Sequence, residues 1–173
     1  MKISNTKKIP DKDLIVFDMD GTLTPTKAPM DAEMTGLIAD LLAEKQVAVI
    51  GGGKYALFRE QLLAPLRKAR VAPKNLLLFP TTATSFYRYR GGWKNVYVHA
   101  LSPAEKKKIK HAFAEVFEKS EYRHPSKTYG TVIEDRGTQI TFSALGQEVI
   151  AILGTEKGVA IKEQWLKENK AIK

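Results

Sequence analysis

The sequence contains no cysteine. This absence excludes a disulfide scaffold, thiolate metal sites and thiol catalysis, and it fits a reducing compartment. Long apolar runs are also missing, because the longest are LIVF, VAVI and LLLF, and none of these could cross a bilayer. The N-terminal stretch MKISNTKKIPDKD is polar and lacks the apolar region of a secretory signal. We therefore expect a cytoplasmic protein that does not enter a membrane.

Acidic residues are outnumbered, with 19 Asp and Glu against 28 Lys and Arg and a formal net charge of +9. Such a charge can indicate nucleic-acid binding through phosphate contacts. The lysines are scattered, however, and no helix-turn-helix, zinc or RNA-recognition signature is present. We favour a lysine-rich solvated surface over a nucleic-acid interface. A bias toward small anionic ligands such as phosphate esters is compatible with both interpretations.

Short apolar strands alternate with helical patterns in the first part of the chain. The helical patterns cover residues 31–44 and 55–70, and Pro65 should kink or shorten the second one. This alternation is typical of parallel βαβ units, so we predict an α/β core over residues 1–83. Its strands should lie at residues 14–17, 47–50 and 76–79, and we expect the first of them to be buried on both faces.

The pattern changes in the second part of the chain. Hairpin signals at residues 91–92 and 136–137 flank a helical pattern that starts with a capping box at residues 102–105. Hairpin, helix and hairpin predict an α+β unit with an antiparallel sheet over residues 84–153. The remaining residues, 154–173, have the pattern of a helix or a tail that returns toward the core.

Two carboxylates follow the first predicted strand. Strand side chains alternate, so Asp18 and Asp20 should point the same way, and Gly21 allows a sharp turn. Two close carboxylates repel unless one is protonated or a cation such as Mg²⁺ lies between them. Asp18 could attack phosphorus to form an aspartyl-phosphate, while Asp20 protonates the leaving oxygen and later activates water. Alternatively, an Asp at a strand end is a cap or turn residue.

A glycine run, GGG at residues 51–53, follows the second predicted strand. Open parallel sheets bind ligands beyond the carboxyl ends of their strands, so this run should lie at the same edge as the aspartates. Its amides could cradle an anion. Lys54 could also contact a phosphate, although a solvated loop lysine is the simpler interpretation.

The segment FDMDGTLT resembles the first motif of the haloacid dehalogenase (HAD) superfamily of Mg²⁺-dependent phosphatases and phosphomutases. An α+β insert after the third strand resembles the type IIB cap of that superfamily. Within it, YGTVIEDRGTQITFSALGQ is similar to the cap segment of eukaryotic-type phosphomannomutases, and VAVIGGGKYALFREQL resembles their second-strand segment. The resemblance implies part of a HAD Rossmann-like parallel sheet with an α+β cap that carries an antiparallel sheet.

The resemblance also implies roles for individual residues. Asp18 would be the nucleophile and a Mg²⁺ ligand, and Asp20 would be the acid/base and would offer its backbone carbonyl to the metal. Gly51, Gly52 and Lys54 would lie around the phosphate. Arg136 matches a substrate-binding arginine of the cap, with a hairpin-turn role as the alternative.

Several features depart from the family pattern. Gly51 stands where the family usually has Ser or Thr, and Tyr129 and Gln147 stand where phosphomannomutases carry phosphate-binding arginines. The absence of arginine at positions 129 and 147 favours a phosphatase over a mutase. The later lysine and acidic motif of the family do not follow residue 147 in recognisable form. We therefore expect weak or absent activity from this chain alone, and oligomerisation or a complementing chain at the open edge of the core.

Three functions stay open on the sequence. The first is a Mg²⁺-dependent phosphohydrolase acting on a small phosphorylated metabolite, with a sugar phosphate as the expected class. The second is a phosphomannomutase-type sugar phosphomutase. The third is a non-catalytic module that binds a phosphorylated ligand or a protein.

Overall fold

The computed structural model describes residues 12–25, 28–120 and 122–169. The polar segment 1–11 and the end of the predicted tail, residues 170–173, lie outside this part. The chain divides into two compact units, Met1–Tyr97 and Val98–Lys173. Each unit is described by itself below.

The first unit is built on a five-stranded sheet with the order β1-β2-β3-β4-β5. The first three strands are parallel to one another, and β4 is antiparallel to β3. The sheet therefore has the parallel βαβ units that the sequence predicts. The strands are β1 (Leu14–Asp18), β2 (Gln46–Ile50), β3 (Leu76–Phe79), β4 (Ser85–Tyr89) and β5 (Trp93–Val98).

Helices connect the parallel strands. The first helix starts where predicted, because the Asp31 carboxylate accepts a hydrogen bond of 2.8 Å from the Met34 amide at its N-terminus. The second connection is continuous over residues 55–68 but changes its helical type midway. The elements are α1 (Ala32–Glu44), α2 (Tyr55–Phe58), a π-helical turn (Arg59–Leu63), α3 (Ala64–Lys68), a 3₁₀ turn (Pro73–Asn75) and a tight turn (Pro80–Ala83).

The π-helical turn is the local response to Pro65. Proline has no N–H, so the Gln61 carbonyl loses its partner four residues later. The Met30 amide donates to that carbonyl instead, at 2.8 Å. Ala64 directly precedes Pro65, and its amide donates to the carbonyl of Arg59, five residues earlier in the chain. The kink expected at Pro65 is therefore taken up as a π-helical turn.

One face of the sheet carries the core of the first unit. Its fully buried strand residues pack against α1 and the helical segment 55–68. The other face is more open, since Leu14 is 45% and Val16 is 53% exposed. The prediction that residues 14–17 are buried on both faces is therefore wrong. In the sheet formed by the described residues, β1 is the terminal strand. The helices cover only the face of β1 that carries Ile15 and Phe17.

The hairpin β4–β5 extends the first sheet. Leu77 pairs with Arg88 and Leu78 pairs with Tyr87 across β3 and β4. Phe79 also stacks on Phe86 with ring centroids 4.6 Å apart. The sequence placed this hairpin with the second domain, whereas the boundary between the compact units follows Tyr97 and not residue 83. The strand pairing with β3 accounts for the difference.

The second unit contains a long helix, a two-stranded antiparallel sheet and two further helices. The predicted capping box is present, with Ser102 and Glu105 bonded reciprocally. Phe117 packs on Phe142 of the sheet, with ring centroids 4.9 Å apart. No helix among the described residues has the length and apolarity to span a membrane. The elements are α4 (Pro103–Lys119), β6 (Ile133–Asp135), β7 (Ile140–Phe142), α5 (Val149–Leu153) and α6 (Thr155–Glu168).

The segment after residue 153 belongs to this second unit. Helix α6 packs Ile161 and Trp165 against a small core of Tyr129, Leu145 and Val149. The described part of the predicted tail is therefore a packed helix.

Candidate active site

The two aspartates of the motif lie at the carboxyl end of β1. The Met19 amide donates to the Ile50 carbonyl at 3.1 Å, which carries the pairing with β2 one residue beyond the strand. Met19 is fully buried, while Asp18 is exposed and Asp20 is half-buried. Because the Met19 amide continues the pairing with β2, strand alternation puts its two neighbours on the side opposite the buried methionine. Asp18 and Asp20 thus share one side.

The rest of the motif forms a closed turn. The Gly21 amide donates to the Thr24 carbonyl at 2.7 Å, and the Thr24 amide donates to the Met19 carbonyl at 3.0 Å. The buried Thr24 hydroxyl also donates to the Met19 carbonyl, at 3.1 Å. Gly21 has a φ of +81°, and no atom would meet a Cβ there. Glycine is therefore needed for backbone conformation, and the turn fixes the position of Asp20.

The side chains present at this edge can be compared with the needs of Mg²⁺. No group of three or more acidic or histidine residues capable of holding a metal ion occurs in the ranges 12–25, 28–120 and 122–169. Mg²⁺ is usually held by one or two carboxylates together with waters and substrate phosphate oxygens. The carboxylates of Asp18 and Asp20 fit that smaller set.

Gly51 lies next to the aspartates, at the carboxyl end of β2. A Cβ on this residue would approach the Phe58 ring to 3.1 Å and the Met19 Cβ to 3.3 Å. Both neighbours are fully buried. The packing therefore leaves little room for a Ser or Thr side chain at this position. The Gly51 amide donates to the Phe79 carbonyl at 3.3 Å, so it takes part in the hydrogen bonding between β2 and β3.

The other two predicted phosphate contacts, Gly52 and Lys54, are exposed. Lys54 immediately precedes α2 and its side chain makes no capping bond to that helix. The register of the strands, with Asp18 opposite Ile50, places the glycine run at the same sheet edge as the aspartates. This shared edge is the geometry that the sequence predicts; the role of each residue stays a prediction.

A strained turn that the sequence alone did not predict borders this edge. Thr81, Thr82 and Ala83 all have positive φ angles, of 51°, 57° and 63°, a region that β-branched residues rarely adopt. The Thr81 amide donates to the Gly53 carbonyl and the Thr82 amide donates to the Gly51 carbonyl, both at 2.9 Å. The turn thus ties the end of β3 to the glycine run. Nothing in the PTTAT sequence signals this conformation.

Arg136 lies in the second unit, in the turn between β6 and β7. Its Nε donates to Glu134 at 2.7 Å and its Nη2 donates to Gln147 at 3.3 Å. The guanidinium group is therefore held by neighbours in the hairpin. Its backbone amide closes the turn onto Gln139 at 2.9 Å. A substrate role for Arg136 stays a prediction.

The same turn perturbs Asp135. The Gly137 amide donates to this carboxylate at 2.8 Å, and Lys106 lies 3.2 Å from it. The hydrogen bond from Gly137, followed by that from Lys106, lowers the pKa of Asp135 from its ordinary value. Both interactions favour the charged form of the carboxylate.

Comparisons with known proteins found matches to parts of longer proteins. No family model matches the sequence. Phosphomannomutase 1 of Mus musculus and of Homo sapiens is 41% identical over 49 residues, which cover 28% of this chain and 19% of the mouse and human proteins. A haloacid dehalogenase-like hydrolase from Bacteroides thetaiotaomicron covers 64% of the chain, and the chain covers 39% of that protein, with 16% identity and a TM-score of 0.44.

The IMP-bound, N-terminally truncated IMP-nucleotidase of Plasmodium falciparum superimposes on 91% of the chain with a TM-score of 0.55 and 15% identity. The fold is haloacid dehalogenase-like. The chain spans 47% of the nucleotidase chain and 19% of the phosphomannomutase, so it spans less than half the length of the relatives it matches. The α/β fold class predicted from the sequence, with a mostly parallel sheet and a separate antiparallel sheet, is confirmed.

Proposed function

We propose that the chain is a Mg²⁺-dependent HAD phosphohydrolase of the type IIB group, acting on a small phosphorylated metabolite. The observation that carries this proposal is the placement of Asp18 and Asp20. They lie on one side of the chain, at the carboxyl end of a parallel strand, with the buried Met19 between them. Ligands of open parallel sheets bind at that edge. The phosphomannomutase match makes a sugar phosphate the expected substrate class.

In this proposal the exposed Asp18 carboxylate attacks phosphorus, and the bond from phosphorus to the ester oxygen breaks as an aspartyl-phosphate forms. Asp20, held by the turn that ends at Thr24, donates the proton that the leaving oxygen needs. It then takes a proton from the water that hydrolyses the aspartyl-phosphate. A Mg²⁺ ion held by the Asp18 carboxylate and the Asp20 backbone carbonyl would neutralise negative charge on the phosphate.

The exposed Gly52 and Lys54, beside the aspartates, are the proposed phosphate contacts of the glycine run. Lys54 would attract the phosphate as a flexible point charge. Gly51 would act indirectly, because its missing side chain lets Phe58 and Met19 pack under the site. In the second unit, Arg136 is the proposed substrate contact.

The phosphomannomutase match also supports a second candidate, a sugar phosphomutase. A mutase would interconvert mannose 1-phosphate and mannose 6-phosphate, whereas a phosphohydrolase would release inorganic phosphate from either ester. The glutamine at position 147, which accepts a hydrogen bond from Arg136, offers no positive charge for a second phosphate. We therefore place the phosphohydrolase first.

The test is release of phosphate from p-nitrophenyl phosphate and mannose 6-phosphate, with Mg²⁺ and with EDTA. We expect Mg²⁺-dependent release that Asp18→Asn reduces about 100-fold or more, because the nucleophile is lost. The matched control is Asp40→Asn, at an exposed position of α1, which should keep the parent rate. Release that survives Asp18→Asn would refute the nucleophile assignment.

A second measurement keeps the proposal testable if turnover is too slow to detect. Mg²⁺ at ten times its dissociation constant should stabilise the folded chain by about 1.4 kcal/mol. Asp18→Asn should remove this stabilisation, and Asp40→Asn should not. Absence of both turnover and Asp18-dependent Mg²⁺ binding would reject the phosphohydrolase.

The proposed partners can be tested at the same time. The outer edge of β1 belongs to the terminal strand of the described sheet, and we propose that it pairs with a second copy or with a complementing chain. Sedimentation of the purified chain, alone and mixed with the C-terminal half of a longer homologue, should reveal assembly. A strictly monomeric chain that gains no activity from the added half would contradict this.

A further inference from the structure

A cavity of about 630 Å³ lies in the first unit, on the side of the sheet that carries the helical segment 55–68. It is separate from the aspartates, since neither Asp18 nor Asp20 lines it. Its volume is in the range of small-molecule sites, which is roughly 300–1,000 Å³. The side chains relevant to binding come from the helical segment, the residues just after it and the β4–β5 hairpin: Tyr55, Arg59, Arg67, Arg70, Tyr89 and Trp93.

The positive charge of this cavity comes from three arginines. Arg59, Arg67 and Arg70 are all exposed and line the cavity, with Glu60 as the single acidic lining residue. Within the part of the chain that the structure describes, none of the three guanidinium groups forms an ion pair. Guanidinium groups bind phosphate oxygens through paired hydrogen bonds, which favours a phosphate-bearing ligand.

Aromatic rings form the other part of the lining. Tyr89 and Trp93 meet edge to face with centroids 5.7 Å apart. Tyr55 stacks on Tyr87 with centroids 4.0 Å apart and an angle of 9° between the rings, which fixes its orientation. Such half-buried rings, already held by neighbours, can receive a planar ring at little cost in conformational entropy.

Arg59 connects the charged and aromatic parts. Burial raises the pKa of Tyr55, and the nearby positive charge of Arg59 opposes that rise. A favourable interaction with the helix dipole accounts for the basic residues at the C-terminal end of α3, including Arg67. It does not account for Arg59, which lies in the middle of the helical segment and begins the π-helical turn.

We propose that this cavity binds a mononucleotide, with the base against Tyr89 and Trp93 and the phosphate on the arginines. The ligand class follows from the lining, because a free anion would leave the rings unused and a neutral aromatic compound would leave the guanidinium groups unused. The proposal does not rest on the phosphohydrolase function. It assigns a second ligand site to the first unit, which neither of the two aspartates lines.

The test uses the fluorescence of Trp93. The chain has two tryptophans, so Trp165→Phe leaves Trp93 as the single reporter. Adenosine 5′-monophosphate, adenosine and inorganic phosphate are titrated separately at constant ionic strength, with EDTA present to prevent Mg²⁺-dependent turnover. We expect the nucleotide to quench Trp93 and to bind at least about tenfold more tightly than adenosine or phosphate, since it engages both parts of the lining.

Variants then localise the binding. Arg59→Gln and Arg67→Gln should each weaken nucleotide binding about tenfold or more, which is the usual loss for a charge-assisted hydrogen bond. Arg123→Gln removes the same charge from an exposed position in the second unit and should leave the affinity unchanged. Asp18→Asn should also leave it unchanged, because the site is distinct from the aspartates.

Three results would overturn the proposal. The first is no quenching of Trp93 by the nucleotide at millimolar concentration. The second is equal affinity for inorganic phosphate, which would mean that the rings contribute nothing. The third is equal weakening by Arg123→Gln and by Arg59→Gln, which would indicate attraction by the net charge of +9 and not by this cavity.

Discussion

The replacement of Gly51 by alanine tests the packing beneath the candidate site. A Cβ at this position would lie 3.1 Å from the Phe58 ring and 3.3 Å from the Met19 Cβ, closer than the 3.4–4 Å of ordinary contact. Neither neighbour can move easily, because both are fully buried. Overpacking of this kind typically costs about 1–3 kcal/mol. The backbone conformation adds nothing, since Gly51 is not among the residues with positive φ.

We expect Gly51→Ala to lower the melting temperature by about 2–12 °C, taking roughly 2–4 °C for each kcal/mol in a chain of this size. The assay is thermal and urea unfolding followed by circular dichroism. Gly36→Ala is the matched control, because it adds the same methyl group inside α1 where no atom lies within 4 Å. It should raise stability by about 0.5–1 kcal/mol.

The two substitutions should therefore change the stability of the chain in opposite directions. A Gly51→Ala chain that unfolds at the parent temperature would refute the packing argument. Gly51→Ser is a further check, since it introduces a side chain with a hydroxyl group at this position. If packing excludes that hydroxyl, Gly51→Ser should lose stability without gaining phosphatase activity.

Two further substitutions concern other parts of the chain. Gln61→Met should raise the urea midpoint by the equivalent of about 1 kcal/mol, because the buried Gln61 Oε1 has no hydrogen-bond partner among the described residues; a lower midpoint would contradict this. Asp135 has a lowered pKa in the folded chain, owing first to the Gly137 amide and then to Lys106. Its stabilising contribution is therefore present at neutral pH and is lost as the pH falls through the lowered pKa, below about pH 4. Urea titrations should show a smaller loss of stability in acid for Asp135→Asn than for the parent, and parallel pH curves would contradict the assignment.

Local patterns predicted the elements that depend on neighbouring residues. Helix α4 begins at the predicted capping box because Ser102 and Glu105 satisfy each other's donors within one turn. The turn after Asp20 likewise depends on Gly21 and Thr24, which are close in sequence. The position of Asp18 and the glycine run at one edge of the sheet was predictable, because β1 and β2 are parallel and their carboxyl ends lie side by side.

Features that depend on distant residues could not be predicted in this way. The apolar strand at residues 14–17 suggested burial on both faces, yet Val16 is 53% exposed because nothing in the described chain covers that side. A composition change near residue 84 suggested a domain boundary, but the β4–β5 hairpin pairs with β3. Neither burial nor strand partnership is encoded in the residues of the segment itself.

The sequence by itself determined the chemistry available at the first strand: two carboxylates at i and i+2, a glycine that permits the turn, and no thiol anywhere in the chain. Strand alternation then placed both carboxylates on one side. Only the tertiary structure decided that Gly51 packs against Phe58 and that Arg59 and Trp93 line one cavity. These contacts join segments far apart in sequence, and their distances follow from the packing of the whole first unit and not from local conformational preference.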